Sequence, residues 1–570
     1  MIWPERPAGG TGARPQMRYG SDAFAEVLRS LSLPFISLNP GASYRGLHDS
    51  LVNYLGNQQP QLIVCLHEEH AVAVAHGYAK VSERPMAVAL HSNVGLMHAT
   101  MALYNAWCDR VPLLAIGATG PLDAAKRRPW IDWIHTFADQ GALVRDYVKW
   151  DDQPASVQAG VDALARAGEL TRSYPPAPVY VCLDAALQEG EIEGEVRLPD
   201  LARFEPPPPT PPASAAVAAA AGMLESAQRP LILVGRVGRG VPEWDERVRL
   251  AERLGACVLT DLKVAAGFPT DHPLHPAVPG TFLTPSGQEL VASADAILSL
   301  DWVDLGGTLR AAGASAAVIS CTADPAPEFG PAPADLAVAS HPDLLVAELL
   351  TGAGEGGSRP AWPPPRGEGG ALGEGLTVRR LAAALRDALR GREACLVRLP
   401  LGWDGADLHV THPLDYLGQD GGAGLGSGPG MAVGAALALD GSGRLPVAVL
   451  GDGDLLMASS ALWTAAHYGL SLLVVVANNR SFFNDELHQE RMANARGRPA
   501  ENRWIGQHIR EPDPDLAALA RSLGLRGHGP VEDEGELAAT LAMAVEEAAA
   551  DAAVLVDVRV SPHGYPGGKE

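Results

Sequence analysis

Residues 451–479 read GDGDLLMASSALWTAAHYGLSLLVVVANN. LPVAVL (445–450) leads into this stretch and SLLVVVA (471–477) closes it. Both are continuous apolar runs of strand length, and LLMASSALWTAAHYG between them has the length and pattern of a helix. A strand, a helix and a second parallel strand form a unit whose ligands gather outside the carboxyl ends of the strands. Asp452 follows the first strand and Asn479 the second, so both side chains reach one crevice. Gly451 and Gly453 let the backbone turn tightly beside a ligand, and the helix beginning near Asp454 offers N–H groups to a phosphate. A carboxylate, an amide oxygen and a main-chain carbonyl are hard donors that suit Mg²⁺ held jointly by phosphate. The stretch therefore reads as a metal–diphosphate site. Its plain alternative is an Asp-Gly turn and a polar strand end, which any α/β protein can show.

The rest of the chain repeats this grammar. At 570 residues it is too long for one core. Two Pro- and Gly-rich seams, 204–213 within FEPPPPTPPASAA and 352–375, read as linkers. They leave segments 17–203, 214–351 and 376–570, each of domain size. Apolar runs alternate with helical patterns in all three: 33–38, 61–66, 86–91 and 111–117; then 230–235, 256–260, 295–300 and 316–321; then 394–399, 445–451, 471–479 and 553–560. The expected fold class is α/β, with three domains that each hold a mainly parallel sheet flanked by helices.

A net charge of −23 argues against nucleic-acid or anionic-membrane partners. The six cysteines are scattered singly, without a CxxC pair, which fits a reducing cytoplasm. No run approaches the roughly 18 apolar residues of a membrane span. The N-terminus, MIWPERPAGGTGARPQ, lacks an apolar h-region and reads as a tail rather than a signal peptide.

GDG followed by about 25 residues and NN resembles the thiamine diphosphate motif of the decarboxylase and acetohydroxyacid synthase superfamily. The resemblance implies thiamine diphosphate and Mg²⁺ as cofactors, with the metal on Asp452, Asn479 and the backbone carbonyl of Ser481. Asp454 departs from the pattern, because many members carry Ser there near the diphosphate. LHEEHAVAVAHGYAK (66–80) resembles the stretch that carries the family's catalytic glutamate, which places it at Glu68. GAGLGSGPG (422–430) resembles the glycine-rich segment before GDG; there Gly424 lines the cofactor and Leu425 matches the residue that bends it.

HSNVGL (91–96) stands where many relatives carry a GPG loop, and resembles the benzoylformate decarboxylase branch, with His91 as its catalytic histidine. A strand-end histidine with an ordinary structural hydrogen bond is the alternative. NPGAS (39–43) resembles that branch's NPGS loop, with Ala42 in place of the active-site serine and Ser43 beside it. DWVDLGG (301–307) stands where the branch has a second catalytic histidine. Asp485 falls where pyruvate decarboxylase-like members carry an acidic catalytic residue, and His488, Trp133 and His135 are further pocket candidates.

These features imply a decarboxylase or carboligase that releases CO₂ from a small-molecule 2-keto acid, giving an aldehyde, or a 2-hydroxyketone with an aldehyde or keto-acid acceptor. An acetolactate synthase-like transferase is the alternative, carried by general similarity and Asp-Arg-Val-Pro (109–112). A flavin oxidase would need FAD in the middle segment, where no GxGxxG stands, although family flavin sites do not require one. By the same analogy a dimer or tetramer is expected, with active sites at subunit interfaces.

Overall fold

The computed structural model describes residues 5, 16–324, 334–352, 362 and 375–561. The N-terminal tail, nearly all of the 352–375 seam and the last nine residues of the expected third segment lie outside them. The chain divides into two compact units.

The first unit takes residues 1–207, 388–392 and 420–560. Its N-terminal part holds β1 (Phe35–Leu38), β2 (Gln61–Val64), β3 (Met86–Leu90), β4 (Leu113–Thr119), β5 (Asp151–Asp152) and β6 (Pro178–Asp184). They lie in the order β2-β1-β3-β4-β6-β5, with every neighbouring pair parallel. The second unit contains a five-stranded parallel sheet of β7 (Pro230–Val234), β8 (Cys257–Leu259), β9 (Ala296–Leu300), β10 (Ala317–Cys321) and β11 (Leu336–Val338), ordered β11-β10-β9-β7-β8. The residues of a further strand, β12 (Ala394–Arg398), which is not part of that sheet, also fall in the second unit. Back in the first unit, β13 (Leu445–Gly451), β14 (Leu472–Asn478), β15 (Arg526–Val531) and β16 (Ala553–Arg559) run parallel in the order β13-β14-β16-β15.

The three parallel sheets flanked by helices are the α/β architecture that the apolar runs imply. The expected strands are present, with ends moved by one or two residues. The single helix expected after GDG is instead two short ones, Asp452–Ala458 and Ala461–His467, broken at Ser459-Ser460. Serine hydroxyls compete for backbone hydrogen bonds and weaken a helix interior.

One hydrophobic core runs through both sheets of the first unit, from Ile63 and Val88 to Val474 and Leu555. At its centre the helix Glu68–Ser82 packs on the helix Ser427–Leu439. A Cβ on Gly434 would stand 1.9 Å from the Val74 carbonyl oxygen, so only glycine lets these backbones approach. Nearby, Asp109 of the Asp-Arg-Val-Pro segment binds buried His76 at 2.8 Å and buried Lys80 at 2.7 Å. That carboxylate is held well below its usual range, burial being outweighed by Lys80 and His76. Among the described residues no helix is long and apolar enough to cross a membrane.

Candidate active site

The β13–β14 register sets Gly451 opposite Ala477, so the residues after both strands emerge side by side. Asp452 opens the helix Asp452–Ala458 and is buried. Its Oδ2 has no hydrogen-bond partner. Burial pushes its carboxyl up to about 6, against the pull of its own amide and those of Gly453 and Arg480. An ionised, unpartnered oxygen at such a depth is costly unless a cation meets it.

The two asparagines part company. Asn478 turns to β16, where its Nδ2 donates to Asp557 at 2.8 Å. Asn479 follows on the opposite side of the strand, and its Oδ1 accepts from the Ser481 amide at 3.0 Å. An amide oxygen has two lone pairs, so one remains for a metal. Arg480, between Asn479 and Ser481, adopts a left-handed φ of 59° that turns the chain sharply after the strand. The Arg480 amide donates to Asn478 Oδ1 at 3.1 Å and also pulls on the Asp452 carboxyl, which ties this turn to the start of the helix Asp452–Ala458. The free lone pair of Asn479 and the orphaned Asp452 oxygen fit a hard divalent cation such as Mg²⁺.

Asp454 finds a partner 28 residues upstream. Its Oδ1 accepts the Gly426 amide at 2.7 Å, and a Cβ on Gly428 would stand 2.5 Å from its Oδ2. The additional carboxylate is therefore engaged with the start of the helix Ser427–Leu439, where negative charge is favoured. Glu69 lies near by, and burial followed by Asp454 raises its carboxyl. Gly453 sits under Phe482, whose ring a Cβ would approach to 2.5 Å, whereas Gly451 faces open space. The Gly424 amide donates to Asn105 Oδ1 at 3.3 Å, and Leu425 beside it is half-buried.

Glu68 begins its helix after β2, buried. His91 follows β3 as the N-cap of the helix Ser92–Cys108. A Cβ on Gly95 would stand 3.1 Å from Glu68 Oε1 and 3.3 Å from His91 Cβ, so both residues flank one glycine. Burial, then His135, lowers the His91 imidazole pKa, while Glu68 pulls the other way. The ring is thereby neutral near pH 7 and able to accept a proton.

Ala42 is exposed, while Ser43 is buried and its hydroxyl lies 2.9 Å from His91 Nδ1. The shifted serine of NPGAS thus reaches the histidine. His135 meets His91 edge to face at 4.7 Å between ring centres. Its carbonyl accepts from Ser92 Oγ at 2.7 Å and from the Gly120 amide at 3.0 Å. Trp133 is 76% exposed and makes no such approach.

The NPGAS loop lies hard against His91: a Cβ on Gly41 would stand 2.4 Å from His91 Cβ and Cγ. Gly41→Ala is expected to cost about 1–3 kcal/mol of stability by overpacking and to lower kcat by displacing His91. Thermal melting and steady-state kinetics check both.

His98 was not among the residues singled out by motif. Its Nδ1 lies 3.1 Å from Glu68 Oε2, and its ring stacks on His67 at 4.8 Å. The available signal was its place seven residues after His91, two turns along the same helix face. Asp485 and His488 stand exposed on the helix Phe483–Ala495. The buried carboxylate of that helix is their neighbour Glu486, bound to Ser481 Oγ and 3.2 Å from His508 Nε2. Glu486, Arg503, Trp504 and His508 line a cavity of about 390 Å³.

Three parallel sheets flanked by helices, with polar residues gathered after the strand ends, are the architecture of a ligand-binding α/β protein. The chain belongs to the thiamine pyrophosphate enzyme family. It matches that family's N-terminal cofactor-binding domain over residues 18–143, its central domain over 217–349 and its C-terminal cofactor-binding domain over 403–558.

It is 26% identical over 565 residues to benzoylformate decarboxylase of Pseudomonas aeruginosa, covering 95% of this chain and 99% of the relative. It is 27% identical over 603 positions to "Probable acetolactate synthase 2, chloroplastic" of Oryza sativa, covering 98% and 85%. Its fold matches the thiamine diphosphate-dependent 4-hydroxybenzoylformate decarboxylase of Rhodococcus jostii RHA1 with a TM-score of 0.78, at 23% identity over 95% of this chain and 99% of the other.

Proposed function

We propose that this protein is a thiamine diphosphate- and Mg²⁺-dependent 2-keto acid decarboxylase with carboligase capacity. The observation that carries this reading is the placing of Glu68 and His91 about Gly95, with Ser43 and His135 on His91. When bound, the cofactor supplies the carbanion that attacks the keto carbon and holds the electrons released as CO₂ leaves. Asp452, Asn479 and the Ser481 carbonyl would hold Mg²⁺ on its diphosphate. Gly451 leaves room for close approach, and Gly424, Leu425 and Gly453 complete that wall.

Glu68 would take and return the proton of the cofactor's aminopyrimidine ring. His91, oriented by Ser43 and kept neutral by burial and His135, takes and returns a proton beside the reacting carbon. Water exclusion is the third contribution of the chain, since the site sits on a continuous apolar core. Asp485 and His488, on the solvent side of their helix, would meet substrate only if a second subunit or the substrate itself covers that face. By the family's architecture we place the complete site between two subunits of a dimer or tetramer.

Purified protein with thiamine diphosphate and Mg²⁺ is expected to release CO₂ from a panel of 2-keto acids that includes benzoylformate and pyruvate, without an acceptor. Turnover only with a second keto acid would favour the acetolactate synthase-like transferase, and an oxidised-flavin spectrum the oxidase. No CO₂ from any member would overturn the proposal.

A further inference from the structure

We propose that His98 carries protons between solvent and the buried Glu68; this rests on Glu68 having the role given above. His98 Nδ1 lies 3.1 Å from Glu68 Oε2, and the His98 side chain is 51% exposed against 7% for Glu68. With Nδ1 donating to that carboxylate oxygen, Nε2 keeps a lone pair on the half-exposed ring. A proton taken from water at Nε2 releases the Nδ1 proton to Glu68 Oε2. The ring ends neutral with its hydrogen on Nε2, Glu68 ends protonated, and the reverse transfer resets both. A carboxylate this deep otherwise has no side chain linking it to water among its described hydrogen bonds.

The groups around His98 leave it this role. His67 is stacked on it, and burial, then His98, lowers the His67 pKa. His70, 5.2 Å from His67, is pushed down to about 4 by burial. The carboxylates facing it are Glu68 and Glu69. His67, Glu68 and His98 also place ligand atoms within 4.8 Å of one another, a donor set known from zinc. The tautomers oppose a metal there. His67 Nδ1 accepts the Glu69 amide at 3.2 Å, so its hydrogen sits on Nε2, and binding a metal would break the cap of that helix.

Nitrogen-15 NMR of histidine in the cofactor-free protein is expected to show His98 with Nδ1 protonated and Nε2 bare, a preference lost in Glu68→Ala. His98→Ala is expected to lower kcat on the order of 10²-fold with KM nearly unchanged, and added imidazole to restore part of it. His98→Asn keeps a donor for Glu68 but cannot pass a proton, and is expected to stay slow. Full activity in His98→Asn, failure of imidazole to rescue His98→Ala, or an Nε2-protonated wild-type ring would overturn the proposal. So would a cobalt absorption band abolished by His98→Ala. If the wild type releases no CO₂, the tautomer measurement still decides the hydrogen bond, so the two failures separate.

Discussion

Replacing Glu68 with glutamine is expected to lower kcat by about 10²–10⁴-fold, the range for a lost acid–base group, while the protein still folds and binds its cofactor. Glutamine has nearly the same shape and its amide can keep a hydrogen bond, but it cannot take and return a proton. The position itself tolerates the change. Glu68 opens a helix beside Glu69, and losing one carboxylate at a helix start costs about 0.3–1 kcal/mol. Gly95 sits against the Glu68 side chain, and glutamine adds no bulk there. Steady-state kinetics with a responsive 2-keto acid, cofactor titration and thermal melting separate the alternatives. A Glu68→Gln enzyme within threefold of wild type would remove Glu68 from the chemistry.

How far the sequence reaches depends on the range of the interaction. The unit that carries Asp452 and Asn479 was legible because its spacing spans one strand, helix and strand, and the β13–β14 register sets Gly451 opposite Ala477 just before them. The parallel sheets were legible from apolar runs such as LLVVVA, which are buried on both faces. β6 was not, because PVYVCLD follows SYPPAP, a proline cluster that punctuates like a loop.

Side-chain partners set by tertiary packing stayed hidden. The role of Asp454 depends on the Gly426 amide, which arrives from another helix. The direction of Ser43 depends on a loop packed against His91, with no local periodicity to announce it. His98 matters through Glu68, thirty residues earlier, on a different helix. Around Asp485 the motif pointed one residue away from the acid that the fold buries, Glu486, because which face of the helix Phe483–Ala495 turns inward is set by packing.

Asp452→Asn should act in opposite directions on the empty and the loaded protein. In the metal-free chain the carboxyl is raised to about 6 by burial. The folded state therefore holds its proton more tightly than the unfolded chain does. Stability falls as pH rises through the window between the ordinary aspartate value and about 6, and the full penalty stands above it. At about 1.36 kcal/mol per unit that penalty is on the order of 3 kcal/mol near neutrality. Asparagine carries no charge to desolvate, so the metal-free variant should melt at or above the wild-type temperature at pH 7.5, and the difference should shrink toward pH 4.

With Mg²⁺ and thiamine diphosphate the order reverses. Wild type is expected to gain stability by mass action, about 2.7 kcal/mol at a ligand concentration 100 times Kd, and the variant to gain little, since the proposed metal set loses its charged donor with Asp452. The same protonation makes wild-type Mg²⁺ binding strengthen as pH rises through 6, since metal and proton compete for one carboxylate. Melting curves with and without Mg²⁺ and cofactor, taken at pH 5, 6 and 7.5, read all of this in one series. A metal-free variant less stable than wild type at pH 7.5, together with an undiminished cofactor-induced shift, would mean that Asp452 is neither strained by burial nor the metal's anchor.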